Sequence, residues 1–268
     1  MNNLHRELAP ISDQAWADLE AEARRTFTRH VAARRAVDVI GPAGETMAAV
    51  GTGHLRPATS DRAVDAWVRE ARPLVEFRVP FTVSRQAVDD VARGARDPDW
   101  RPVKEAAREI AFAEDRMVFD GFAAADVEGI RAAISNPAIA LPAEVSAFPN
   151  TVARGMSVLR LAGVGGPYAL LLGAEAYTSV AETTDHGYPI QEHIVRVLGE
   201  ESCLLWAPAL TTGALLVGAR GGDFELYVGQ DLSIGYLSHT NSSIELYFQE
   251  SVTFLVRTTE AGVELTAA

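Results

Sequence analysis

The chain holds a single cysteine, Cys203, among 268 residues. That excludes a disulfide within the chain and any cysteine-based metal site. Cys203 lies in the apolar run CLLWAP and is expected to serve as a small buried hydrophobe. No apolar stretch reaches the ~18 residues of a membrane-spanning helix, and MNNLHRELAPISDQAW carries no signal core, so a cytoplasmic protein is expected. No low-complexity tract is present, which argues against disorder. Positive charge is scarce: 24 Lys and Arg stand against 36 Asp and Glu, for a net charge of −12. Such a chain repels phosphate backbones and disfavours nucleic acid as a partner.

Catalytic signatures are also missing. There is no Walker A loop, HExxH, CxxC or nucleophile elbow. The GTG at 51–53 lacks the third glycine and the strand-to-helix setting of a dinucleotide site. The GGDF at 221–224 is one acidic residue short of a GGDEF-type signature and reads as a glycine turn opening a strand. The six histidines show no ligand spacing within a helix. Asp185-His186 sits in a polar turn without a Ser or Cys partner. No metal and no cofactor is expected.

Architectural signals are plentiful. Ser12 is placed to cap a helix running to about Arg34, with Trp16, Leu19, Ala23, Phe27 and Val31 on one stripe and Asp18, Glu22, Arg25 and Arg29 opposite. This helix either packs on its own domain or helps to form a docking groove. Residues 44–72 read as a long hairpin-like excursion with little to bury by itself, so it needs a partner surface. LVEFRVPF at 74–81 alternates as a strand that Pro80 confines to an edge or an end. Ser84 is placed to cap a short helix ending at Gly94. Val103, Ala106, Ile110, Ala113 and Met117 hold helical spacing on a longer one, whose Glu105, Glu109, Asp115 and Asp120 read as a solvated face. Beyond Pro137, helices (about 146–162, 173–182, 189–199) alternate with strands (168–172, 203–206, 215–219). From Asp223 onward the chain is mostly strand: 223–228, 231–238, 243–249 and 251–257. Apolar residues make up 48% of the chain and glycines number 21, together above the ~45–50% usual for a soluble domain counted that way. The excess fits either a large core or surface covered between subunits.

LxRELAPISDQAW near the start, ARRAVDV at 33–39, PLVEFRVPFTVSR at 73–85, EDRMVFDGF at 114–122, GPYALLLGAEAY at 166–177, HGYPI at 186–190, RGGDFELYVGQDLSIGY at 220–236 and the terminal ESVTFLV together resemble the encapsulin shell proteins (family 1, the linocin or bacteriocin type) nearly end to end. The resemblance implies an α+β fold like that of tailed-phage (HK97-like) major capsid proteins. It implies a peripheral domain of 1–48, 73–134 and 222–268, with a cargo-side helix at 12–34 and a spine helix near 99–122. It also implies an extended loop at 49–72 and an axial domain at 135–221. The implied function is self-assembly into a closed icosahedral shell in the cytosol. That shell would enclose a cargo enzyme, a dye-decolorising peroxidase or a ferritin-like iron oxidase, held by its C-terminal peptide.

Carried over residue by residue, the resemblance implies a peptide groove of Phe27, Arg34, Val37, Asp38, Asp231, Leu232, Ile234 and Tyr236. Apolar side chains would take the peptide's hydrophobic residues, and Arg34 and Asp38 would orient its polar groups. The same residues could instead only glue the first helix to its domain. Thr184, Asp185, His186, Gly187 and Tyr188 would line a five-fold opening, where repeated carboxylates favour cations. Two other readings stay open. A tailed-phage-type capsid protein shares the fold. A peptidase or hydrolase lacks any nucleophile–base–orienter set.

Overall fold

A computed structural model describes residues 3–58 and 65–267. The Ser12 side chain accepts the Ala15 amide at 3.3 Å and opens α1, Asp13–His30. Trp16, Leu19, Ala23 and Phe27 are buried along its stripe. The helix stops at His30, short of the expected end at Arg34. The cause lies far away in sequence: the Asp115 carboxylate accepts the backbone amides of Ala32 and Ala33 at 2.8–3.1 Å. Donors captured in this way cannot feed an α-helical ladder, and the chain makes one 3-10 turn, Ala33–Arg35, instead.

The short strand β1, Asp38–Ile40, follows. The excursion is a two-stranded hairpin of β2, Ala49–Pro57, and β3, Trp67–Pro73. Its tip, 59–64, lies outside the described residues, and Leu55 and Trp67 are both more than half exposed. Among the described residues β4, Val75–Ser84, pairs only with a late strand, so Pro80 stands on an edge as expected. Ser84 caps α2, Arg85–Ala92, by accepting the Ala87 amide at 3.0 Å. The long helix α3, Arg101–Asp120, then crosses the molecule. Glu105 and Glu109 are exposed on it as read, whereas Asp115 and its neighbour Glu114 are fully buried. The solvated-face expectation therefore fails for Asp115, because its carboxylate is consumed by the two amides beyond α1.

The second layer contains α4, Ile130–Ala133; β5, Ile139–Ala140; α5, Phe148–Leu161; β6, Tyr168–Leu172; and α6, Ala174–Glu182. A small hairpin of β7, Thr184–Asp185, and β8, Tyr188–Pro189, leads into α7, Ile190–Leu198, β9, Cys203–Trp206, and β10, Ala214–Gly218. The chain ends in β11, Phe224–Val228; β12, Ser233–His239; β13, Ser243–Val256; and β14, Gly262–Thr266. The strands expected separately at 243–249 and 251–257 are thus one continuous strand. β14 departs from the expected division of the chain. It pairs with β10 and β5 in the sheet ordered β5-β14-β10-β6-β9, so the end of 222–268 joins the layer of 135–221. Cys203, on the edge strand β9, is half-buried rather than buried.

The other large sheet is ordered β1-β11-β13-β12, with β4 also paired to β13. Two apolar cores result. One lies between α1, α2 and α3 and the β4, β12 and near-end β13 residues. The other fills the second layer and reaches Val252 and Phe254 of β13. Both α3 and β13 run through the two cores. Their buried acids Glu114, Asp115 and Glu250 occupy the seam between them.

Candidate docking groove

A groove of about 460 Å³ runs between α1 and β12. One wall is α1 with the segment after it, carrying Ala23, Arg24, Phe27, Thr28, Val31, Arg34 and Arg35; the other carries Asp231, Leu232, Ser233 and Ile234. The N-terminal segment closes one end. Arg6 pairs with Glu20 at 2.6 Å and stacks on Trp16, and Leu4 is buried beside the groove. Leu4 O accepts the Tyr236 amide at 2.8 Å on the edge of β12 not taken by β13. Strand alternation repeats every second residue, so Ile234 presents its backbone groups to that same edge.

Five of the eight residues expected at the groove come together there: Phe27, Arg34, Asp231, Leu232 and Ile234. Phe27 and Ile234 are only 5% and 3% exposed and belong to the first core, so they also fasten α1 to the sheet. Tyr236 lies further along β12, half-buried, with its hydroxyl on His239 Nδ1. Val37 and Asp38 are elsewhere: they line a separate cleft with Gly218 and Gly221. The Asp38 carboxylate accepts the Gly222 amide in the GGDF turn, where Gly221 and Gly222 both take positive φ. The helix ends before them and the chain turns away into β1, so helical continuity no longer holds them in line with Phe27. Leu4, Arg24 and Arg35 were not legible as groove residues. Arg24 lies one helical turn before Phe27 and Thr28, which is a usable signal, but Leu4 precedes any periodic element.

Arg34 is the electrostatic centre. Its guanidinium bonds Glu114 of α3 at 2.6–3.1 Å, Asp231 at 2.8 Å and Glu250 of β13 at 3.4 Å, and it lies 4.9 Å from the Phe27 ring centre. Burial opposes its charge, but the hydrogen bonds and charge of Glu114, with those of Asp231, hold its pKa above the ordinary arginine value. Burial raises the Glu114 pKa against the pull of Arg34. Glu250 is pushed up much further, first by burial and then by the Glu114 charge. Glu250 Oε1 has no partner among the described groups, which fits a carboxyl that keeps its proton beside Glu114. One cation thus holds two buried carboxyl groups, both harder to ionise than a free glutamate and Glu250 the harder of the two.

The expected opening residues form the β7–β8 hairpin. His186 and Gly187 both have positive φ, 48° and 84°, as a two-residue type I′ turn requires. The His186 side chain is 98% exposed, with Nε2 3.7 Å from Asp185 Oδ1. Tyr188 is held from behind by Arg196 and His193. Among the described residues, no three His, Cys, Asp or Glu side chains gather as metal ligands. No described helix is long and apolar enough to cross a membrane.

The family described as "Encapsulating protein for peroxidase" (Linocin_M18) matches residues 1–253. The chain belongs to that family. It is 58% identical over 266 residues to the type 1 encapsulin shell protein of Rhodococcus erythropolis, covering 99% of this chain and 100% of that protein. It is 52% identical to the type 1 encapsulin shell protein of Mycobacterium tuberculosis, covering 99% of each. Solved structures agree in fold. The virus-like particle from Pyrococcus furiosus has a TM-score of 0.62 at 14% identity, covering 92% of this chain and 97% of that one. The capsid of Myoviridae phage XM1 has a TM-score of 0.56 at 10% identity, covering 86% and 90%. At such identities the capsids establish the HK97-like α+β fold and nothing more. As an encapsulin shell protein, the chain builds a capsid-like particle and is a structural protein, not an enzyme. The peptidase or hydrolase reading is overturned, and the encapsulin kinship displaces the phage one.

Proposed function

We propose that the particle is a cytoplasmic icosahedral nanocompartment, and that the groove between α1 and β12 holds the C-terminal peptide of an enclosed enzyme on the inner wall. The observation that carries this reading is an apolar-walled groove lying along the one β12 edge not paired with β13. An extended peptide can continue, beside Ile234, the backbone pairing that Leu4 begins at Tyr236, while its apolar side chains meet Leu232 and Phe27. A dye-decolorising peroxidase fits the peroxidase in the family's description. A ferritin-like protein is the second candidate and is separated from it only by mass spectrometry of the particles.

In the same reading, 1–48, 73–134 and most of 222–268 form the peripheral domain and 135–221 the axial domain. The 49–72 hairpin reaches a neighbouring subunit that covers Leu55 and Trp67. Thr184, Asp185, His186, Gly187 and Tyr188 rim a five-fold opening, where repeated Asp185 carboxylates favour cations.

Leu232→Asp tests the groove better than a change at Ile234, because Leu232 is half-buried and Ile234 is core. Particles of unchanged size that no longer co-purify cargo are expected. Cargo retained at wild-type levels refutes the groove.

A further inference from the structure

We infer that the groove binds its occupant through a carboxylate as well as apolar side chains, and that Arg24 and Arg35, not Arg34, hold that carboxylate. The inference rests on the docking reading and specifies the chemistry of the peptide that docks.

Arg34 is the cation expected to orient the peptide, but it is already committed. Its guanidinium is shared among Glu114, Asp231 and Glu250 and stacked near Phe27. Withdrawing it would strand two buried carboxyl groups. Arg24 and Arg35 differ. Both are exposed and both line the groove. No carboxylate among the described residues forms an ion pair with either, although the other acids of the groove are taken: Glu20 by Arg6 and Asp231 by Arg34. In a chain of net charge −12, two guanidinium groups bordering this groove, of which Arg35 also borders the Asp38 cleft, leave a local positive field there. The groove also partly excludes water, which strengthens a charge-assisted hydrogen bond relative to open surface. A ligand that meets Leu232 with an apolar residue and carries an Asp or Glu side chain nearby satisfies both features. A purely apolar tail satisfies one.

The test uses two fluorescent proteins of different colour co-expressed with the shell protein. Both end in the same Gly-Ser tail carrying two leucines spaced as alternate residues, with an amino acid after the second leucine as a common end. One tail has two aspartates beside the leucines, and the other has asparagines. The colour ratio inside purified particles reads relative affinity without depending on yield, and swapping colours controls for the carriers. The wild-type shell should favour the aspartate tail by about five-fold, the size of one or two partly exposed ion pairs. An Arg24→Gln/Arg35→Gln shell should bring the ratio close to one. Arg29→Gln, exposed but outside the groove, should leave it unchanged. Equal loading of both tails into the wild-type shell overturns this inference and leaves the docking reading intact. A preference that survives in the double variant overturns the assignment to Arg24 and Arg35. If neither tail loads above an untailed carrier, the docking reading falls and takes the inference with it.

Discussion

Arg34 reaches across the groove to Asp231, Nη1 to Oδ1 at 2.8 Å, and so joins the turn after α1 to the turn before β12. The same guanidinium grips Glu114 and Glu250 beneath it. The two walls of the groove are therefore spaced by an ion network, which sets the groove's width as much as its apolar lining does.

Replacing Arg34 with Met should be strongly destabilising. It removes the cation from two buried carboxyl groups, a change that costs about 3–5 kcal/mol when one partner of a buried pair is lost. A fall in the melting temperature of the particle is the readout. Adding Glu114→Gln to Arg34→Met should recover part of the loss, because Glu114 is the carboxylate that Arg34 bonds at 2.6–3.1 Å. No recovery would show that the two groups are not energetically coupled.

The pH dependence has a definite sign. Glu114 and Glu250 have folded-state pKa values above the ordinary carboxylate range, and burial lifts Asp115 to about 7 against the pull of the Ala32 and Ala33 amides. Above the ordinary carboxylate pKa the unfolded chain has released protons that the folded chain keeps, so stability falls as pH rises through this window. For Asp115 the window runs from 3.8 to about 7. Particles should therefore melt at a higher temperature near pH 5 than near pH 8, and Glu250→Gln should flatten that slope. A wild-type slope of opposite sign contradicts the assigned protonation.

Asp115→Ala leaves the Ala32 and Ala33 amides without their acceptor in a buried setting, at a cost of roughly 2–4 kcal/mol. The amides would regain an α-helical option, so α1 should lengthen and carry Arg34 away from Asp231. Reduced cargo loading together with a lower melting temperature is expected. Asp115→Asn, which keeps one acceptor oxygen, should be milder in both measurements.

Gly235 is required by a neighbour. A Cβ there would lie 2.1 Å from the Tyr247 ring, which crosses β12 to donate its hydroxyl to Asn3 O. Gly235→Ala should displace Tyr247, cost about 1–3 kcal/mol and free the N-terminal segment, read as faster amide exchange at Tyr236. Unchanged exchange there would mean that the Tyr247 ring does not anchor the segment.

Local chemistry was legible wherever an element depends on its own residues. The Trp16–Phe27 stripe and the Ser12 and Ser84 caps marked α1 and α2. Alternation marked β4, strands were expected over β6, β9 and β11, and 44–72 read as a hairpin-like excursion. Asp115 was misread because helical spacing says which face a carboxylate occupies but not what packs on that face. β13 was expected as two strands parted near Glu250 and Ser251, whereas Glu250 is buried within one continuous strand beside Arg34, distant in sequence.

What the amino-acid order determined by itself is most of the longer helices and strands and the shell-forming kinship, since periodicity, capping and a nearly end-to-end pattern are properties of neighbours along the chain. Tertiary structure alone decided where α1 stops, which sheet receives β14, why Val37 and Asp38 leave the groove, and which arginine is spent and which remain open. Each of those outcomes turns on hydrogen bonds and charges between residues far apart in the chain. Such interactions act only once folding has brought the groups together and removed the water that would otherwise screen them.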